Sequence, residues 1–190
     1  MLRIILNRKF AFWLFLSIPA LFMLRSYWAG ATDAADMLHP TGEWSARLMI
    51  LAMMLGPLTS LLGSKPWLNW LVQRRRALGV AAFIYALLHL AFYIIDMGYL
   101  ADMVAELDAP AIWTGWLAML AVTTPAIASN QIAVRLLRRY WKRVQQVAYA
   151  AALLTLAHWL LISYDRGPAL IHFTPLIALQ LSRLFLIKRK

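Results

Sequence analysis

Cysteine is absent from all 190 residues. That excludes a disulfide, a thiolate nucleophile, a cysteine-ligated zinc or iron–sulfur site, and the Cys-x-x-Cys-His attachment of a c-type haem. Any metal or cofactor must be held by His, Met or carboxylate. Charge is also scarce: 14% of residues are charged, against about 25% in soluble domains. Acids are the scarcer sign, with 8 Asp and Glu against 19 Lys and Arg. In their place the chain is 63% hydrophobic, with 9 Trp. An ordinary cytosolic globule is excluded, and the chain reads as an integral membrane protein. Six spans of about 20 residues would use roughly 120 residues and leave no room for a soluble catalytic domain.

Hydropathy places apolar spans at 10–28, 44–62, 78–95, 112–129, 144–164 and 169–187. The fold class expected is all-α, a polytopic bundle of six transmembrane helices forming a single domain over 1–190. The net charge of +11 is sorted by side, so it is a topology signal and not a nucleic-acid one. Apart from Arg25, Arg47 and Arg166, every basic residue falls before the first span, in the second or fourth connection, or toward the tail. Those groups include Arg74, Arg75 and Arg76, and the run from Arg135 to Arg143. All the acids, Asp33, Asp36, Glu43, Asp96, Asp102, Glu106, Asp108 and Asp165, fall in or beside the first, third and fifth connections. Basic loops stay in the cytoplasm, so both termini are expected there, in a bacterial inner membrane. The first span, followed by Ala29-Gly30-Ala31, has the outline of a signal peptide and is expected to be retained. The sequence shows no internal repeat. The outer connections at 29–43 and 96–111 are long enough to carry short interfacial helices. Pro19, Pro57 and Pro125 lie within spans, where a proline usually kinks the helix. Trp28, Trp44, Trp67, Trp70, Trp113 and Trp141 sit near span ends as an aromatic belt.

Function is sought in what a membrane disfavours. Of His39, His89, His158 and His172, two lie deep in spans. Counting from Arg76 to His89 and from Arg143 to His158 places both imidazoles about 20 Å above the basic belt. The third and fifth spans run parallel, so the two rings share a depth. Two neutral imidazoles so placed can clamp the iron of a haem b, which needs two axial ligands and an apolar slot. Two other readings stand beside it. Each histidine could instead be a core residue hydrogen-bonded to a neighbour, or part of a proton relay, which would ordinarily want a carboxylate within a span, where none is expected because all eight acids read as outer-face residues.

The strings His39-Pro40-Thr41-Gly42, Arg74-Arg75-Arg76-Ala77-Leu78-Gly79, Leu87-Leu88-His89-Leu90, and Trp141 through Tyr149 to Ala157-His158-Trp159 carry a resemblance. From about His39 to Leu161 the chain resembles the MsrQ (YedZ) family of haem-binding membrane subunits, within the ferric-reductase-like transmembrane superfamily. The resemblance implies haem ligation by His89 and His158. It also implies electron transfer from the quinone pool or a flavin reductase to a periplasmic acceptor, the molybdoenzyme MsrP, which reduces methionine sulfoxide. The family usually has a further histidine thirteen residues before the later ligand, and here that position is Gln145. One haem near the outer face is therefore expected, with FMN or a quinone serving the inner half.

Arg74 and Arg76 could meet a flavin phosphate or haem propionates, although positive-inside anchoring explains them as well. His39, at the outer start of the second span beside Thr41 as a cap and Gly42, which permits close approach of a porphyrin or another helix, could meet a propionate or ligate a second iron. His172 shares that ambiguity, and Arg25 and Arg47 could pair with propionates or simply snorkel. The rival readings are a ferric-reductase-like or quinol-linked carrier with another acceptor, and a non-redox membrane scaffold or transporter.

Overall fold

A computed structural model describes the backbone of residues 2–188 and the side chains of residues 10–183. The basic side chains expected to anchor the two ends, Arg3, Arg8, Lys9, Lys188, Arg189 and Lys190, lie outside the described residues. Among the described residues every regular element is helical, with no strand. The helices are α1 (Leu2–Trp28), α2 (Ala34–Leu62), α3 (Pro66–Val72), α4 (Arg75–Met97), α5 (Leu100–Ala105), α6 (Pro110–Ile127), α7 (Gln131–Leu137), α8 (Trp141–Ile162) and α9 (Gly167–Lys188). Short 3-10 turns occupy Glu106–Asp108 and Arg138–Tyr140.

Five stretches are long and apolar enough to cross a bilayer: Phe10–Trp28, Ala34–Leu62, Arg75–Met97, Pro110–Ile127 and Gln131–Ile162. The chain is thus a multi-pass membrane-type protein. The sixth expected span, 169–187, falls on α9, and its last residues lie outside those whose side chains are described.

The largest departure from the sequence reading is at α2. Hydropathy starts that span at Trp44, but the helix begins ten residues earlier. Asp33 caps it by accepting from the Asp36 N–H at 2.8 Å, while Asp36 accepts in return from the Asp33 N–H at 3.2 Å. This reciprocal capping nucleates a helix through polar sequence that a hydropathy window scores as loop. Asp36, His39 and Glu43 are therefore helical, and no separate interfacial helix forms before the span. Thr41 is not a cap, since its hydroxyl donates back to the Met37 carbonyl at 2.6 Å inside the helix. The expected short helix in 96–111 is present as α5. Two further short helices, α3 and α7, lie in the basic connections, where only charge was noted.

The bundle is built from two antiparallel hairpins, α2 with α4 and α6 with α8. In the first, Leu38 meets His89 while Ser45 meets Ala82, so the contacts step in opposite directions along the two helices. In the second, Ala111 meets His158 while Pro125 meets Gln145. Small side chains allow the close approach: Ala46, Ala81 and Ala82 in one hairpin, and Ala118, Ala121, Ala151 and Ala152 in the other. Close packing between small residues is how helices associate where lipid tails remove the usual hydrophobic incentive.

The outer helices are held by polar contacts. The Tyr85 hydroxyl donates to the Leu16 carbonyl at 2.8 Å and accepts from the Ala20 N–H at 3.0 Å, spanning one helical turn of α1 beside Pro19. That contact docks a helix that otherwise exposes Phe10, Phe15, Leu21 and Phe22 as a lipid-facing surface would. Trp44 is not a belt residue: it stacks on Tyr85 within the bundle, with centroids 6.1 Å apart. Trp28, Trp67 and Trp113 are exposed near helix ends as expected.

Candidate functional site

The two hairpins leave a cleft between α4 and α8, and His89 and His158 face one another across it. Their ring centroids are 6.3 Å apart and the planes cross at 77°. Around them is a cavity of about 520 Å³, lined mainly by apolar groups such as Met49, Leu90, Ile112 and Val122. Its volume lies in the range of pockets that hold a cofactor-sized ligand. The parallel third and fifth spans of the sequence reading are α4 and α8, and the depth match becomes a direct juxtaposition.

Each ring is fixed by the facing helix of its own hairpin. His89 Nδ1 lies 2.9 Å from the Leu38 carbonyl on α2, and His158 Nδ1 lies 2.7 Å from the Ala111 carbonyl on α6. A carbonyl can only accept, so both Nδ1 atoms carry the proton, and in the neutral ring Nε2 keeps its lone pair. Gly42 and Gly115, each four residues beyond the accepting carbonyl, stand against the same two rings.

The other candidate residues divide into two groups. His39 borders the cavity, with its side chain 62% exposed and Nε2 at 3.9 Å from Glu43. His172 uses both nitrogens: Nδ1 faces the Pro168 carbonyl at 2.6 Å, and Nε2 accepts from Arg47 Nε at 3.0 Å. Arg47 also donates to Glu43 at 2.6 Å, so Glu43, Arg47 and His172 tie α2 to α9. Trp159 lies between the two peripheral histidines, stacked on His172 at 5.5 Å and edge-on to His39 at 6.1 Å. Its indole Nε1 is buried without a hydrogen-bond partner among the described residues.

At the far end, Arg74 covers Trp70 at 3.7 Å and donates to the Trp70 carbonyl, whereas Arg76 is exposed on the first turn of α4. Gln145 does not border the cavity. Its amide donates to the Pro125 carbonyl at 3.1 Å and lies 3.4 Å from Ser129 Oγ, clamping α8 to α6 where the proline interrupts the helical ladder. Arg25 ends α1.

Sequence reasoning singled out Gly42 for close approach, and it missed Gly115, Glu43 and Trp159 as parts of the site. A signal for the glycines was present, in that Thr41-Gly42 and Thr114-Gly115 are the same dipeptide at the same offset from the accepting carbonyls. The two hairpins thus present one ring-holding arrangement twice. Glu43 was assigned to a loop because α2 was begun too late. It lies in the cavity wall, so a carboxylate does accompany the histidines inside a helix.

A multi-pass helical bundle with paired imidazoles in an apolar cleft defines a class of membrane protein with a histidine-lined cavity. The chain belongs to the family described as ferric reductase like transmembrane component, which matches residues 41–156. It is similar to proteins named protein-methionine-sulfoxide reductase heme-binding subunit MsrQ. One from Xanthomonas oryzae pv. oryzae is 38% identical over 146 residues, which is 74% of this chain and 65% of that protein. One from Xanthomonas euvesicatoria pv. vesicatoria is 36% identical over 154 residues, covering 75% and 69%. One from Azospira oryzae is 31% identical over 159 residues, covering 80% and 66%. The chain thus spans about two thirds of the length of the curated relatives it matches.

Proposed function

We propose that this chain is a haem b electron-transfer subunit of a bacterial inner membrane, acting as one six-span domain with both termini in the cytoplasm. It passes electrons from quinol or a cytoplasmic flavin reductase to a periplasmic acceptor, the molybdoenzyme MsrP, for methionine sulfoxide reduction. The observation that carries the reading is the facing pair His89 and His158. The two rings, with centroids 6.3 Å apart across the cavity, could hold one iron between them. Both Nε2 atoms retain a lone pair, and the surrounding wall is apolar, so the donor set fits haem b.

When bound, haem b supplies reversible one-electron chemistry at iron. His89 and His158 would hold it through Nε2. Trp159, a donor without a partner among the described residues, and His39 at the exposed edge of the cavity would take its propionates, with Arg47 offsetting the charge of Glu43 beside them. Neither His39 nor His172 is needed as an iron ligand for one haem, and His172 is committed to Arg47 and Pro168. Gln145 is committed to Pro125 and supplies no inner-side ligand. Arg74 and Arg76, at the basic end of the bundle, would meet the donor, as FMN phosphate or a quinone headgroup. The match of the ferric-reductase-like family and of MsrQ relatives supports this reading.

The test is the reduced-minus-oxidised spectrum of detergent-purified protein, with pyridine haemochrome giving haem per chain. About one haem b supports the single-site assignment. A count near two would require His39 or His172 as ligands. No haem in protein expressed with ample haem supply would remove the redox reading and favour a scaffold or transporter.

A further inference from the structure

The two histidines are held by the same device on different helices. On α2 the accepting carbonyl is Leu38, the threonine three residues on is Thr41, and the next residue is Gly42; on α6 the set is Ala111, Thr114 and Gly115. Thr41 donates its single hydroxyl proton to the Met37 carbonyl at 2.6 Å. Its contact with His89 Nδ1 at 3.4 Å therefore presents only an oxygen lone pair to the ring. Thr114 turns its hydroxyl back in the same way, with the Pro110 and Ala111 carbonyls at 2.7 and 2.8 Å.

Each glycine then leaves the room its ring occupies. A methyl at Gly115 would lie 2.8 Å from Cε1 and 2.9 Å from Nδ1 of His158; at Gly42 it would lie 3.1 Å from Nδ1 of His89. The colliding atom is in neither case the loose end of a flexible chain. An imidazole tied through Nδ1 must move against that bond to make room, by a few tenths of an ångström at Gly42 and further at Gly115.

We infer that Gly42, with Thr41 beside it, and Gly115 are positioning residues that hold both imidazoles as the Nδ1–H tautomer, Nε2 free, in the apoprotein. Its consequence for the cofactor rests on the haem reading above; the ring geometry does not. The two sites differ in tolerance, Gly115 being the tighter. Because hydrogen bonds to a ligand's second nitrogen orient it toward the metal, losing one lowers affinity about 10–100-fold.

The test compares Gly115→Ala and Gly42→Ala with Gly56→Ala and Gly79→Ala in the full chain. A methyl at either control position meets nothing within 4 Å. Alanine favours a helix over glycine, so a loss cannot come from backbone propensity. Two readouts are taken: ¹⁵N shifts of histidine-labelled apoprotein, which report the tautomer, and the spectrum with haem content after loading. The expected result is Nδ1–H at both rings in the wild type. Gly115→Ala should lose that signature at one ring, bind haem at least about tenfold more weakly, and shift from a low-spin to a high-spin spectrum. Gly42→Ala should fall between, and the controls should match the wild type. A wild type that shows Nδ1–H at both rings but binds no haem, with that tautomer lost in Gly115→Ala, would sink the haem reading and leave the positioning role standing. Wild-type tautomer and spectrum in Gly115→Ala overturn the inference. If that variant does not fold, the same wild-type result in Gly42→Ala overturns it.

Discussion

Replacing His89, His158 and Gln145 singly by alanine separates a ligand role from a structural one, because the three residues differ in what they touch. His158→Ala removes one of the two Nε2 donors facing the cavity and empties the ring position against Gly115. Loss of a hydrogen bond one step removed from a metal ligand costs about 10–100-fold in affinity, so deleting the ligand itself should exceed about 100-fold. At micromolar protein that strips most of the haem during purification. His89→Ala should do the same from the other hairpin. Gln145 lies thirteen residues before His158 on one continuous helix, about 20 Å away along its axis. Its amide joins Pro125 and Ser129 and does not reach the cavity. Bonds of this kind between membrane helices average about 0.6 kcal/mol, with a ceiling near about 1.7, so Gln145→Ala should cost about 1 kcal/mol in stability and no haem. The assay is pyridine haemochrome per chain, with gel filtration and a thermal melt to show that each variant is folded. Equal haem content in all three folded variants would refute the ligand assignment, and so would selective loss in Gln145→Ala.

Tyr85→Phe removes the hydroxyl joining α1 to α4, and should lower stability in detergent by about 1 kcal/mol, since the Leu16 carbonyl and Ala20 N–H can pair with each other once freed; an unchanged melt would mean that apolar packing such as Tyr27 against Phe92 holds α1 without the hydroxyl. The absence of cysteine permits a topology test without background: Tyr164→Cys should react with an impermeant maleimide from the periplasmic side of intact cells, and Ser64→Cys only after lysis. Labelling of both, or of Ser64→Cys alone, would reverse or abolish the proposed orientation. The spectrum of the unmodified protein and the glycine series above complete the set.

Composition and periodicity determined that this chain is helical and apolar enough to cross a bilayer repeatedly, since segment length against bilayer thickness is a property of local sequence. The same linear counting placed His89 and His158 at one depth, because helical rise converts residue number into distance. Capping was also legible in principle, yet the Asp33 and Asp36 pair was passed over, and α2 was begun ten residues late. That error hid Glu43 in a loop and made Thr41 a cap. Tertiary structure decided what no window along the chain can report, namely which helices are partners. Only the hairpins α2 with α4 and α6 with α8 bring Leu38 to His89 and Ala111 to His158, across intervals of 51 and 47 residues. Gly115 acquires meaning only then, and the close approach read at Gly42 acquires its occupant, because a glycine in a helix is legible as a particular space once the ring that fills it is in place. The roles of His172, Arg47 and Gln145 were fixed the same way, by partners on other helices, since a polar side chain inside a bundle is defined by the group that satisfies it.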